Sequence, residues 1–236
     1  MKKLLICLLA SLTFMACSDD DTAPVVTPTE RGTVTDNEGN VYNWVRIGDQ
    51  DWTTTNAHNG EPFYNLTYYN EYLEWEDYIF EFSSTRKRLR DNYVPVYGNL
   101  MKYEEAVASA PEGWRLPTDE DWKKLERTLG MGGEADHEGW RGNIAPRLMQ
   151  IDGGCEMGLL LGGIIEYSAT SGMTLSLDLY HQDESGFYWT STIDDTPSNF
   201  TKAFYRKITA MNEGVERQST NIDNRLMSVR WVRDAQ

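Results

Sequence analysis

Hydrophobic and polar positions change their period several times along this chain, and each change marks an element. From Thr33 to Ile47 they alternate in twos about a turn at 36–40, the pattern of a β-hairpin in which Gly39 can take positive φ. In the second arm Val41, Val45 and Ile47 share one face, interrupted by Asn43, while Tyr42, Trp44 and Arg46 share the other. Trp52 follows as a core anchor. From Tyr103 the period lengthens to about 3.6, through Tyr103, Ala106, Val107 and Ala110 and then through Trp122, Leu125 and Leu129. Pro117 keeps Leu116 extended, Thr118 caps the second helix and Gly130 stops it. Asp119, Glu120 and Asp121 lie at the positive end of its dipole, with Thr118 and Asp121 at capping-box spacing. A short helix is expected over 143–150, with Pro146 near its first turn, followed by a glycine-rich loop over 151–165. Alternation then returns. It predicts a central strand at 186–192 and a second at 201–209, with Phe204, Arg206 and Ile208 on one side and Ala203, Tyr205 and Lys207 on the other. A turn is expected at 212–214, and a last strand with Met227, Val229 and Trp231 inward and Ser228 and Arg230 opposite. Short antiparallel strands with two or three helices make the class α+β.

The first residues follow another logic. Lys2 and Lys3 precede an apolar run from Leu4 to Met15, too short for a permanent membrane span, and the run ends in Ala16-Cys17. This resembles a bacterial lipobox, so residues 1–16 are expected to leave as a lipoprotein signal and Cys17 to carry lipid. Residues 17–30, with Ser18-Asp-Asp-Asp21 and two prolines, form an acidic tether. The acidic stretch resembles an export signal to the outer face of the outer membrane, which makes a cell-surface location the expectation. Residues 31–236 are long enough to fold as one domain on a hydrophobic core.

Charge narrows the partners. With 37 acidic against 22 basic residues the net charge is −15, which opposes binding to nucleic acid phosphates. Of the three cysteines, Cys7 leaves with the signal and Cys17 is the lipid site, so Cys155 has no partner for a disulfide. The segment from Pro62 to Phe82 holds nine aromatics among carboxylates, inside an insert at about 61–96. Tyr68, Tyr69, Tyr72, Trp75 and Tyr78 are its candidate ligand-binding residues, because such rings stack on sugar faces and anchor protein interfaces. Rings that pack into the domain's own interior are the commoner source of such a composition.

The stretch Pro111-Glu-Gly-Trp-Arg-Leu-Pro-Thr-Asp-Glu-Asp-Trp122 resembles the signature of the Fibrobacter succinogenes major paralogous domain family of bacterial surface and secreted proteins. Asp36 to Trp52 resembles that family's opening hairpin, Gly186-Phe-Tyr-Trp-Thr-Ser-Thr192 its central strand, and Ser228-Val-Arg-Trp-Val-Arg-Asp234 its closing strand. The matches run in order from about Gly32 to the end of the chain. The Arg-Leu-Pro-Thr core is also similar to formylglycine-generating-enzyme-type domains, so the resemblance implies a C-type-lectin-like fold. Many family members carry a cysteine just before this signature and another in the closing strand. Here those positions are Ala110 and Trp231, which implies apolar packing in place of a bridge.

Chemistry gives few leads. No Gly-x-Ser-x-Gly elbow occurs, the three histidines His58, His137 and His181 have no zinc-ligand spacing with cysteine, and the formylglycine-generating cysteines are absent. No cofactor is implied. Calcium is a candidate at three oxygen-rich places: Asp183-Glu184, Asp194-Asp195 with Asn199, and Asn221 to Asn224. The expected function is a non-catalytic binding or adhesion module for glycan or a protein partner, held to the membrane by its lipid. The alternatives are a polysaccharide-acting enzyme with paired carboxylates and a structural subunit of an envelope complex.

Overall fold

The computed structural model describes residues 25–60, 63, 87–150, 154–166 and 178–236. Cys17, the leader and Tyr68, Tyr69, Tyr72, Trp75 and Tyr78 lie outside the described residues. The elements are β1 (Arg31–Thr35), β2 (Val41–Ile47), β3 (Gln50–Thr53), α1 (Val94–Tyr97), α2 (Tyr103–Ala108), α3 (Asp119–Thr128), β4 (Gly139–Arg141) and α4 (Ala145–Met149). They continue as β5 (Ile164–Glu166), β6 (Asp178–Tyr180), β7 (Ser185–Asp194), β8 (Lys202–Thr209), β9 (Asn212–Asn221), β10 (Arg225–Leu226) and β11 (Val232–Asp234). Three antiparallel sheets result, in the orders β1-β2-β3-β11, β4-β9-β8-β7 and β10-β5-β6. The class is α+β.

The first hairpin forms where the alternation places it. Gly39 takes φ +89°, and Asp36 accepts from the amides of Glu38 and Asn40 and from the Tyr42 hydroxyl at 2.7 Å. β3 pairs with β2 on one side and β11 on the other, so the two ends of the domain meet in one sheet. The signature elbow joins the same edge: Arg115 and Val232 exchange backbone hydrogen bonds of 2.9 and 3.0 Å.

α3 lies between the two four-stranded sheets. Its Trp122 ring packs 5.1 Å from Trp52 of the first sheet and 6.0 Å from Tyr188 of the second. Leu125 and Leu129 extend that buried stripe, and α4 adds Leu148. The helix starts as its sequence dictates: Thr118 Oγ1 accepts from the Asp121 amide, and Asp121 Oδ2 accepts from the Thr118 amide at 2.8 Å. Asp121 also binds Arg115 at 2.7 Å and Gln50 at 2.8 Å. Asp121 of the signature is therefore a structural pin. A second apolar cluster gathers Trp114, Trp189, Val229 and Trp231, with Ala110 packed against it. Trp44 and Trp114 clasp the Arg233 guanidinium at 5.0 and 4.7 Å from their ring centres.

Charge runs through this interior. Asp119 accepts from Arg206 at 2.7 Å and from Arg217 Nη2 at 2.8 Å, while Glu126 accepts from Arg206 at 2.6 Å and from Arg141 at 2.9 and 3.0 Å. Glu126 and Arg206 have no solvent exposure. Burial alone would raise the Asp119 pKa, but its bonds to Arg217 and the charge and bonds of Arg206 outweigh it and hold the carboxyl far below the usual carboxylate range.

Four expectations need correction. Val107 is exposed, because α2 ends at Ala108 and packs only its Tyr103 and Ala106 row inward. The turn expected at 212–214 falls two residues earlier, closed by the Met211 amide on Thr209 Oγ1 at 3.3 Å. Gly214 instead lies within β9, where a Cβ would come 3.1 Å from the Arg141 carbonyl. The last strand is two short ones, β10 and β11, and the irregular stretch between them has no open face. Ser228 and Arg230, assigned to the outer side, are both buried because β7 and the 157–158 loop cover them.

Candidate functional site

A cleft of about 550 Å³ opens between the first sheet and α1. From β1 and β2 come Arg31, Gly32, Asn43, Trp44 and Val45; after β3 come Thr54, Thr55, Asn56 and His58. Pro95 and Val96 of α1 form one wall, and Glu156, Gly158 and Leu160 the other. Strand register sets part of this. Arg31 stands opposite Val45 and Thr33 opposite Asn43, and directly opposed residues share a sheet face, so Arg31, Asn43 and Val45 point the same way.

Arg230 builds the floor from beneath. Its guanidinium donates to Asn56 Oδ1 at 2.7 Å and to the carbonyls of Thr53 at 2.9 Å, Met157 at 2.8 Å and Gly158 at 2.7 Å. One buried cation thus ties the segment after β3 to the 157–158 loop, with all of its hydrogen bonds going to neutral oxygens. Asn56 completes the link by donating to the Tyr97 carbonyl at 2.7 Å, which fixes α1. Tyr188 Oη holds the other wall, accepting from the Leu160 amide at 2.7 Å and donating to the Leu160 carbonyl at 2.8 Å.

The mouth carries the only charged pair among the lining residues. Arg31 grips Glu156 through Nε at 2.9 Å and Nη2 at 2.5 Å, a forked geometry. The bond to Arg31 lowers the Glu156 pKa from its ordinary value. Glu156 has φ +57°, a left-handed backbone that costs a non-glycine residue about 1–2 kcal/mol. Burial lowers the His58 pKa, outweighing the nearby Asp36, so the imidazole is neutral near pH 7. The side chains of Asn43, Thr55 and His58 have no hydrogen-bond partner among the described residues. Val96 stands 56 % exposed on the wall. The arrangement offers neutral donors and acceptors beside an apolar surface.

None of these lining residues was a candidate in the sequence. His58, Asn43 and Arg31 carry no motif, and they meet only through long-range pairing; the lone signal was Asn43 interrupting an apolar face. At two of the three calcium candidates a carboxylate is engaged by neighbouring side chains. Asp194 is committed to Lys202, Ser219 and Thr196, and Asp183 to Tyr97. Among the described residues no three His, Cys, Asp or Glu side chains are grouped to hold a metal ion. Cys155 is buried against the Arg147 carbonyl at 3.2 Å.

Comparison with curated proteins and with solved structures gives no match. The sequence profile of the Fibrobacter succinogenes major domain matches residues 45–233, most of the chain, from the end of β2 into β11, and leaves Arg31, Gly32, Asn43 and Trp44 of the cleft before its start. The chain belongs to the Fibrobacter succinogenes major domain family.

Proposed function

We propose that this chain is a lipid-anchored, cell-surface binding module with a C-type-lectin-like version of the α+β fold, and that the cleft between the first sheet and α1 holds a glycan. The membrane contact would come through lipid on Cys17, a reading supported by the leader and its Ala16-Cys17 junction. The observation that carries the binding reading is the lining: amide, hydroxyl and imidazole groups without a hydrogen-bond partner among the described residues, in one cleft with Pro95, Val96 and Leu160. Sugars present hydroxyls on their edges and C–H groups on their faces, and such a wall meets both. Glu156 is the one carboxylate among the lining residues, and it is occupied by Arg31. That favours binding over hydrolysis by paired carboxylates.

An oligosaccharide array with the purified chain tests this reading. Retention of one glycan class by the wild type, lost in Val96→Asp with unchanged melting temperature, is the expected result. No retained glycan, together with capture of a protein through the same wall, would move the assignment to a protein partner. Mass spectrometry of the mature N-terminus tests the anchor: a lipidated Cys17 is expected, and an intact Met1 would contradict it.

A further inference from the structure

We propose that Glu156, with Arg31, is the residue pair that reads the ligand, and that it selects uncharged sugars over uronic acids. The proposal rests on the glycan reading of the cleft and adds a specificity to it. Three observations carry it. Glu156 holds a left-handed backbone at φ +57°, where glycine would be unstrained, so the fold keeps a carboxylate at a position that disfavours one. The pair that results is at the solvent boundary, with side chains 55 % and 26 % exposed, and exposed pairs contribute little to folding. Stability therefore does not account for the strain. The pair also lies at the cleft mouth and is its only charged feature among the lining residues.

The chemistry fits adjacent hydroxyls. Each Glu156 oxygen receives one bond from Arg31 and keeps lone-pair capacity for another donor. Arg31 uses two of its N–H groups on Glu156 and retains others. The pair presents acceptors and donors side by side with no net charge, which suits neighbouring hydroxyls that both donate and accept. A uronic acid would bring its carboxylate against Glu156, in a protein of net charge −15, and would find on Arg31 only the N–H groups that the pair leaves over.

The test is an array of neutral and uronic-acid oligosaccharides probed with the wild type, Glu156→Gln and Glu156→Gly, each checked for an unchanged melting temperature. The wild type is expected to retain neutral members and to leave uronic members unbound. Glu156→Gln should weaken neutral binding about ten-fold or more, by loss of charge-assisted bonds, and should raise retention of uronic members on the released Arg31. Neutral binding by both variants within about two-fold of the wild type would overturn the assignment. Preference of the wild type for uronic members would overturn it as well. In either case the cleft reading survives if Val96→Asp still abolishes binding, whereas a folded wild type that retains no glycan defeats both.

Discussion

Arg206 Nη1 stands 2.7 Å from Asp119 Oδ1, across the boundary between the signature helix and the second sheet, with both residues out of solvent. The same guanidinium reaches Glu126 at 2.6 Å, so one arginine in β8 satisfies two acids on α3. Removing it leaves Asp119 to Arg217 and Lys123, and Glu126 to Arg141. Arg206→Ala is expected to cost about 3 kcal/mol in chemical denaturation, because two buried acids each lose charge-assisted hydrogen bonds at once.

The pH dependence follows from the same contact. The Asp119 pKa is depressed in the folded state, so its contribution is fully present above the ordinary carboxylate range and is lost as pH falls through that range toward the lower folded value. Stability of the wild type should fall below about pH 4. In Asp119→Asn that acid limb should be shallower and the neutral-pH stability lower. Urea midpoints across the acid range check this, and an identical acid limb in the variant would count against the network's role.

Thr118 makes the capping box with Asp121. Thr118→Ala should lower stability by about 1 kcal/mol, and Thr118→Ser should restore most of it. Equal loss in both variants would point to methyl packing rather than to the cap.

Arg230 holds three carbonyls and the Asn56 side chain beneath the cleft. Arg230→Met should cost at least about 3 kcal/mol, since several buried acceptors lose their donor at once. Amide exchange should accelerate selectively at Asn56 and Gly158, ahead of α3. Uniform acceleration across the domain would show that the residue serves overall stability and has no special hold on the floor.

What was legible in the sequence was local. Thr118 and Asp121 announce a cap three residues apart, Gly39 a turn, and Trp122, Leu125 and Leu129 a buried stripe, because each depends on neighbours along the chain. The four motifs of the family lie far apart but in order, and so the family could be read. Burial of Arg206 and Arg230 could not. An arginine is solvated by default, and only partners brought together by the fold reverse that: Asp119 for Arg206, and Asn56 with the 157–158 carbonyls for Arg230. The cleft was hidden for the same reason, since its five lining segments share no spacing. The aromatic candidates Tyr68 to Tyr78 stood out by composition, which reports ring density and says nothing of position.

The most direct measurement is an amide chemical-shift titration of the nitrogen-labelled protein with an oligosaccharide retained on the array. Shifts centred on Asn43, Thr55, His58, Glu156 and Gly158, absent in Val96→Asp, are the expected result. Shifts confined to residues away from this cleft, such as the exposed Trp140 on β4, would contradict the account.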